Sequence, residues 1–343
     1  MILVTGSNGL VGSHIVSELL GRGESVKALI RNPKAINQLR RTLAFYHEYP
    51  DALLEKISFA EGDVNDIPSL EKAFEGVDAV CHCAAIVSFH PSDKKSLLKV
   101  NTEGTANVVN LALYNKVNRF CHISSIAVLG ERPGSTITED PLFDILPKGT
   151  WYARSKFLAE REVWRGIEEG LPAIILNPSV ILGPGDWAKG SSQLFSLIHK
   201  GLKFYADGVT GYVDVRDVAK AAVIALMSNV SGERFILNGE NLSFRDLFFT
   251  MADAMSIHKP YIRITRPIAE LVWRLAWLGE KISGKPSPIT RETARSAFQH
   301  YRYSAEKFKK QFDFQFTPIH ETIAFTASLF LKENSRNQIK SIP

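Results

Sequence analysis

Short apolar runs alternate with segments of helical periodicity along the first half of the chain. The runs are rich in β-branched residues, as buried strands are, and they cover residues 2–4, 25–30, 57–60, 77–85, 119–124 and 172–176. The segments between them predict helices, the longest at residues 94–116 and 151–169. This alternation predicts an α/β fold, a doubly wound parallel sheet of the Rossmann type with helices on both faces.

The pattern changes after Asn177, where Pro178 and then Gly183-Pro184-Gly185 interrupt regular structure. A strand at Val213–Asp217 is predicted to return to the sheet, followed by a helix at 218–228 and a short strand at Phe235–Leu237. Beyond residue 240 the chain is helical, and residues 178–343 contain 21 of the 34 aromatic residues. These features predict two lobes with an apolar pocket between them.

The predicted domains follow from this division. The Rossmann domain takes residues 1–177, with 212–238 returning to it. The smaller, mostly helical substrate-binding lobe takes residues 178–343, mainly 178–211 and 239–343.

Composition mainly excludes other classes of protein. The 343 residues are 45% hydrophobic and 22% charged, which is typical of a soluble globular protein. The net charge of +5 comes without a run of like charges, so nucleic acid is not an expected partner. No apolar stretch approaches the roughly 20 residues that a membrane span needs. A core strand that starts at Met1 leaves no room for a signal peptide, which predicts a cytoplasmic location.

The cysteines predict neither a disulfide framework nor a metal site. Cys81, Cys83 and Cys121 lie within predicted strands. Cys81-His82-Cys83 has the residue types of a metal site, but successive side chains of a strand point to opposite faces. The three side chains therefore cannot converge on one ion, and no metal is predicted.

A glycine-rich turn follows the first strand, in the sequence MILVTGSNGLVG. Gly6 is expected to allow the tight turn, Gly9 to let a phosphate approach the backbone, and Gly12 to let helix and strand pack closely. The free N–H groups at the start of the next helix favour an anion. A turn of this kind between a strand and a helix predicts a dinucleotide-binding loop.

Three side chains predict acid/base chemistry at the carboxyl edge of the sheet. Tyr152 and Lys156 are four residues apart at the start of a helix and share a face, and Ser125 follows the fifth strand. The Lys156 ammonium is expected to favour the phenolate and lower the pKa of Tyr152 toward neutrality. Ser125 could then hold a substrate oxygen while Tyr152 passes the proton.

With these residues the chain resembles the extended short-chain dehydrogenase/reductase (NAD-dependent epimerase/dehydratase) family over nearly its full length. The matching segments are Thr5–Gly12, Gly62–Val64, His82–Ala85, Val100–Thr105, Ser124-Ser125, Tyr152–Lys156, Asn177-Pro178 and Gly183–Gly185. The resemblance implies an NAD(P)-dependent enzyme that acts on CH–OH or carbonyl groups. It also implies a homodimer that forms through a four-helix contact.

The resemblance assigns Ser125, Tyr152 and Lys156 as the catalytic triad, with Tyr152 as the proton donor and Lys156 also on the nicotinamide ribose. The residues that would hold the cofactor are Gly6, Ser7, Asn8, Gly9, Leu10, Val11, Asp63, Val64, Ala84, Ala85, Tyr152, Lys156 and Pro178. Ser88 and Phe89 would face the substrate together with Ser125 and Tyr152. Asn101 is expected to cap a helix or bind backbone near the site, and Ser124 to act through its backbone.

Arg31 predicts the choice of cofactor. NAD-dependent Rossmann proteins place an acidic residue at the end of the second strand, for the ribose 2′-hydroxyl. Here that strand ends in Leu29-Ile30-Arg31-Asn32, without a carboxylate. An arginine suits a 2′-phosphate bidentately, and Lys34 could assist, so NADP(H) is predicted over NAD.

The finer resemblance is to the dihydroflavonol 4-reductase-like branch. It rests on the strand-end Arg31-Asn32-Pro33, on Val213–Ala219, and on Ser283–Pro286 followed by Ile289–Glu292. It predicts reduction of the carbonyl of a bulky, largely apolar ketone or aldehyde, a small-molecule substrate. The alternatives are a nucleotide-sugar epimerase or dehydratase with bound NAD, a 3β-hydroxysteroid dehydrogenase-like enzyme and, last, a non-catalytic dinucleotide sensor.

Residues 267–282 form an amphipathic segment, PIAELVWRLAWLGEKI. A lid over the pocket is favoured over a helix that lies in a membrane interface, because the polar face is not strongly basic. Membrane association is therefore not expected.

Overall fold

A computed structural model describes residues 1–130, 134–139, 149–283 and 290–340 of the chain. Its strands are β1 Ile2–Thr5, β2 Val26–Ile30, β3 Ile57–Glu61, β4 Ala79–His82, β5 Arg119–Ile123, β6 Thr136–Ile137, β7 Ala173–Pro178, β8 Val180–Leu182, β9 Phe204–Tyr205, β10 Val209–Asp214, β11 Glu233–Leu237, β12 Glu240–Ser243, β13 Ile262–Arg263 and β14 Arg302–Tyr303. Its α-helices are α1 Leu10–Gly21, α2 Ala35–Leu43, α3 Pro50–Leu54, α4 Ile67–Phe74, α5 Lys94–Leu97, α6 Gly104–Tyr114, α7 Trp151–Glu168, α8 Gln193–His199, α9 Val215–Met227, α10 Phe244–Ala254, α11 Arg266–Ser283, α12 Arg291–Ser296, α13 Glu306–Phe312 and α14 Ile319–Lys340.

A seven-stranded parallel sheet organises the described residues, in the order β11-β7-β5-β4-β1-β2-β3. The doubly wound Rossmann fold predicted from the sequence is confirmed. Helices cover both faces because the strands are apolar on both. Val4 packs into a core with side chains of α1 and α9, whereas its neighbour Leu3 packs into a second core with side chains of α4, α6 and α7.

Strand β4 is shorter than the predicted run of residues 77–85. The chain leaves the sheet after His82, where the Thr5 hydroxyl accepts hydrogen bonds from the N–H groups of Cys83 and Ala84, each at 3.2 Å. Residues 83–85 are apolar although they lie outside β4, because this segment packs beneath the glycine turn.

The predicted returning strand at Val213–Asp217 was wrong in extent and in partner. Strand β10 ends at Asp214, because the Asp214 side chain accepts a hydrogen bond from the Arg216 N–H at 2.7 Å and so caps α9. β10 pairs with β8 and β12 in a separate three-stranded sheet. The strand predicted at Phe235–Leu237 is confirmed within β11, which forms an edge of the central sheet beside β7.

The second lobe has its own apolar core. Side chains from α8, α10 and α14 meet there, among them Phe195, Leu247 and Ile323. The division at residue 177 stays a prediction. Of the branch-specific segments, residues 284–289 lie outside the described residues.

Replacing Gly12 with alanine tests the close packing of the glycine turn. A Cβ atom at Gly12 would lie 2.2 Å from the carbonyl oxygen of Gly6, a backbone atom, whereas one at Gly21 on the same helix meets nothing within 4 Å. We expect Gly12→Ala to lower the free energy of unfolding by about 1–3 kcal/mol. Gly21→Ala, the control, should leave it unchanged or raise it by up to about 1 kcal/mol. Urea denaturation measures both, and equal values for the two variants would contradict the packing argument.

Candidate active site

The glycine turn is fixed by three segments of backbone in close contact. Gly6 has a positive φ of 64°, and a Cβ there would lie 2.8 Å from the Ala84 Cα beyond β4. The Gly9 N–H donates to the Gly6 carbonyl at 2.9 Å, and the Ser7 hydroxyl donates to the Leu29 carbonyl of β2 at 2.8 Å. The turn therefore has no room for side chains at Gly6 and is bonded to the end of β2.

A cavity of about 420 Å³ opens beside this turn. It is lined by Asn8, Gly9, Leu10, Asn32, Lys34, Ala35, Gln38, Asp186, Lys189, Gly190 and Ser192. Gly9 caps the N-terminus of α1 without a side chain, which leaves backbone N–H groups for an anion. Lys34 adds positive charge on one side, while Lys189 on the other pairs with the Asp186 carboxylate at 3.4 Å. The backbone N–H groups and Lys34 therefore fit the phosphates of a dinucleotide.

Arg31 and Lys34, the two cations predicted to bind the cofactor after β2, lie in different positions relative to the cavity. Lys34 lines the cavity, whereas Arg31 is exposed and is not among the lining residues. Sequence reasoning missed Lys189, which lies on the loop after Gly185. No local pattern brings that loop to the glycine turn.

The remaining predicted cofactor residues lie where strands of the central sheet end. Val64 is buried, and its carbonyl accepts a hydrogen bond from the Asn107 side chain at 2.9 Å. The Asp63 carboxylate accepts the Asn65 N–H at 2.9 Å, within its own turn. Pro178 is the last residue of β7. Ala85 follows Ala84 in the segment beneath the turn.

Ser125, Tyr152 and Lys156 come together at the carboxyl edge of the sheet. Ser125 follows β5, and Thr150 caps α7 by accepting a hydrogen bond from the Ala153 N–H at 3.1 Å. The Ser125 hydroxyl lies near enough to the Tyr152 phenol to influence its pKa, and it accepts a hydrogen bond from the Ala127 N–H at 3.2 Å. The buried Lys156 ammonium donates to the Ile123 carbonyl at 2.7 Å, two residues before Ser125.

Burial governs the protonation of this trio. Removal of the Tyr152 hydroxyl from water raises its pKa, and the interaction with the Ser125 hydroxyl offsets part of the rise. Burial lowers the pKa of Lys156 to about 8, against the opposing attraction of the Glu160 carboxylate. The expectation that the pKa of Tyr152 is lowered toward neutrality was wrong for this structure, because burial of the phenol outweighs the opposing interaction.

Asn101 binds backbone near the site, as predicted. It lies in a π-helical turn, Leu98–Glu103, that interrupts the helix predicted at 94–116. Its side chain accepts from the Ile86 N–H at 2.7 Å and donates to the Ile86 carbonyl at 3.0 Å and to Ser155 Oγ at 2.9 Å. Asn101 thus connects the segment beyond β4 to the residue before Lys156.

Of the two predicted substrate residues, Phe89 contacts the trio. Its ring meets the Tyr152 ring edge to face, with centroids 5.7 Å apart. The Ser88 hydroxyl is engaged within its own loop, donating to Asp93 Oδ2 at 2.6 Å and accepting from the His90 N–H at 3.1 Å.

Sequence reasoning missed Glu160, a buried carboxylate behind the trio. It accepts from the Ser124 hydroxyl at 2.7 Å, from the Asn177 amide at 3.0 Å and from Arg234 Nη1 at 2.7 Å. The same Asn177 amide donates to the Ser125 carbonyl at 3.0 Å. Glu160 therefore fixes the backbone at Ser125, directly through Ser124 and indirectly through Asn177. Ser124 is held through its backbone, whose N–H donates to the Leu176 carbonyl at 2.7 Å, and also through its side chain, which the sequence did not predict. The four-residue spacing from Lys156 to Glu160 is the signal that could have found it.

Comparison with known proteins places this geometry in context. The sequence model of the NAD dependent epimerase/dehydratase family matches residues 2–238. The chain is similar to "Sterol demethylase protein B" of Methylococcus capsulatus, at 30% identity over 76% of both chains. It is also similar to a "Putative dihydroflavonol 4-reductase" of Synechocystis, at 25% identity over 94% of this chain and 92% of the relative. The crystal structure of gox2253 superposes with a TM-score of 0.79 at 28% identity, over 97% of this chain and 98% of the other.

The lowered pKa of Lys156 predicts a pH-dependent stability. The folded-state pKa is about 8 and the ordinary value is 10.5, so between these pH values the unfolded chain binds more protons at this group. The stability contribution of Lys156 therefore rises with pH across that window. Relative to Lys156→Met, the free energy of unfolding of the wild type should rise by about 3 kcal/mol, at about 1.4 kcal/mol per unit.

Urea titrations at several pH values between 7 and 11 measure this difference. The exposed Lys220→Met is the control and should follow the wild-type profile. A difference between wild type and Lys156→Met that stays constant with pH would refute the lowered pKa.

Proposed function

The chain belongs to the NAD dependent epimerase/dehydratase family, and on this basis we propose that it is an NADP(H)-dependent reductase of bulky, largely apolar ketones or aldehydes. Members of the family act on carbonyl and hydroxyl groups with a nicotinamide dinucleotide. The observation that carries the proposal is the convergence of the Ser125 hydroxyl, the Tyr152 phenol and the buried Lys156 ammonium at the carboxyl edge of the sheet.

Each member of the trio has a distinct role in the proposed reaction. A bound nicotinamide dinucleotide supplies the hydride. The Ser125 hydroxyl orients the substrate carbonyl oxygen, and the Tyr152 hydroxyl donates its proton to that oxygen. The raised pKa keeps Tyr152 protonated at neutral pH, as a proton donor must be. Lys156 holds the nicotinamide ribose and keeps positive charge near the developing phenolate.

The side chains around Tyr152 favour an apolar substrate. Phe89 is 46% exposed while its ring edge contacts Tyr152, so it presents an aromatic surface next to the proton donor. The names of two relatives contain a sterol and a dihydroflavonol, which are both bulky ring systems. We propose that Phe89 packs against the ring system that carries the carbonyl group.

The preference for NADP(H) rests on the cations around the cavity. Lys34 lines it, and Arg31 lies outside the lining at the end of β2, where an acidic residue is absent from the sequence; Lys189 also lines it but pairs with Asp186. A 2′-phosphate bound there would form charge-assisted hydrogen bonds with Lys34 and Arg31. Asp63 and Val64 would contact the adenine, and Pro178 the nicotinamide side.

Replacing Tyr152 with phenylalanine tests the proton donor. Loss of general acid catalysis should lower kcat/KM by about 10²–10⁴, while the affinity for NADPH stays nearly unchanged. The measurement is NADPH oxidation with a panel of sterol ketones, dihydroflavonols and aromatic aldehydes. Tyr114→Phe, at a ring that is 81% exposed, is the control and should retain activity.

Full activity of Tyr152→Phe on an identified substrate would rule out this role. No turnover by the wild type on any carbonyl would favour a dinucleotide sensor. A purified protein that retains tightly bound NAD would favour the epimerase or dehydratase activity that the family name also covers.

Replacing Arg31 and Lys34 with alanine tests the cofactor preference. Each lost charge-assisted hydrogen bond is worth about 1.5–3 kcal/mol, so the affinity for NADPH should fall at least tenfold in each single variant. The affinity for NADH, which lacks the 2′-phosphate, should stay within about twofold, since RT ln 2 is only about 0.4 kcal/mol. Fluorescence titration measures both, with the exposed Arg22→Ala as the control. Tighter binding of NADH than of NADPH by the wild type would contradict the preference.

A further inference from the structure

Helix α11 packs on the protein with one face and exposes an apolar stripe on the other. Its half-buried residues include Ala269, Val272, Trp273 and Ala276, which share one side of the helix. The guanidinium of Arg291 on α12 lies over the Trp273 ring at 6.0 Å. Glu280, on the same side, contacts His90 Nε2 at 3.0 Å. The packed face therefore points toward the loop that carries Phe89.

The apolar stripe lies on the opposite side of α11. Its members are Ile268, Leu271, Leu275 and Leu278, which are 48%, 58%, 59% and 49% exposed. Their spacing of three, four and three residues aligns them along the helix at about 100° per residue. A lid helix would turn such a stripe toward the pocket, whereas here it points away from the face that packs on the protein. A contiguous exposed stripe of this kind marks an interaction surface.

The charge around α11 indicates the chemistry of the partner that the apolar stripe would bind. Arg274 and Lys281 border it on one side and are exposed. Residues 259–310 contain 12 Lys and Arg against 4 Asp and Glu, whereas the rest of the chain contains 29 against 32. The excess of positive charge is thus concentrated in the segment that carries the stripe. Glu280 is engaged with His90, and Glu270 forms an exposed ion pair with Arg274 at 2.9 Å, so Arg274 would exchange this partner for a lipid phosphate whereas Lys281 has no such pair among the described ion pairs.

Contrary to the expectation from the sequence, we propose that α11 binds the surface of an anionic lipid bilayer. The four aliphatic side chains would enter the acyl boundary, and Arg274 and Lys281 would meet lipid phosphates. Trp277, which is 50% exposed and next to the bordering cations, suits the headgroup level. This is peripheral contact, because no helix of the described residues is long and apolar enough to cross a membrane.

The proposal goes beyond the reductase function and does not depend on it. Its consequence for the site is positional. The stripe and the His90–Glu280 contact lie on opposite faces of α11, so a bilayer on the stripe would be separated from the Phe89 loop by about one helix diameter, roughly 10 Å.

Vesicle sedimentation of the full chain, without substrate, tests the proposal. The wild type should bind vesicles of phosphatidylcholine mixed with phosphatidylglycerol more tightly than vesicles of phosphatidylcholine alone, and high salt should weaken the binding. Leu271→Gln with Leu275→Gln should lower the partition coefficient by roughly tenfold or more. The control, Ile67→Gln with Leu197→Gln, removes two aliphatic side chains that are 49% and 41% exposed elsewhere and should bind like the wild type.

The contribution of charge is tested separately. Arg274→Gln with Lys281→Gln should lower binding to the anionic vesicles only, whereas the exposed Lys72→Gln with Lys220→Gln should not. Circular dichroism and thermal unfolding confirm that each variant is folded. Absence of wild-type binding to anionic vesicles, or equal binding by the leucine variant and its control, overturns the proposal. So does a solution dimer of the wild type that the leucine variant abolishes, since a second copy would then cover the stripe.

Discussion

The close approach of three backbone segments at the glycine turn constrains the whole site. Gly6 leaves β1 with a positive φ, and a Cβ there would overlap the backbone of Ala84. Gly12 packs against the Gly6 carbonyl with equally little room. Because the turn is closed on β4 and on α1, the helix N-terminus has one possible direction. That direction opens the cavity on the side of β2, and it leaves the carboxyl ends of β4 and β5 for Tyr152 and Ser125.

A second constraint is electrostatic and lies behind the trio. Glu160 and Arg234 are 3% and 8% exposed, and a buried ion pair gains little net stability over apolar packing, although removal of one partner is costly. Such a pair is retained where it fixes geometry. Here the Glu160 carboxylate also accepts hydrogen bonds from the Ser124 hydroxyl and from the Asn177 amide. Ser124 precedes Ser125 in the chain and Asn177 binds the Ser125 carbonyl, so the backbone at Ser125 is fixed. The same carboxylate supports the charge of Lys156 against burial.

The local pattern of apolar residues was sufficient to predict the strands of the central sheet. It was insufficient to predict the helix cap at the end of β10 and the long-range contacts of the site. The strands around Leu3 and Cys121 were predicted because apolar runs reflect burial on two faces. The β10 error arose because Asp214 caps a helix, and a cap is decided by one side chain rather than by periodicity. In the site, the glycine spacing and the Tyr152–Lys156 pair are local signals. The positions of Lys189 and Arg234, and the burial that lowers the pKa of Lys156, depend on contacts between distant segments, which no single sequence displays.

Strand β11 has a consequence for the order in which the molecule can be completed. It adds the edge of the central sheet beside β7 and carries Arg234, yet 54 residues, 179–232, separate the two strands in the chain. During synthesis the carboxylate of Glu160 is therefore made well before its cation partner emerges from the ribosome. Until then, a buried position for that carboxylate is electrostatically unfavourable. The catalytic edge acquires its final form only after residue 234 is available, so in a nascent chain that ends earlier one edge of β7 is unpaired.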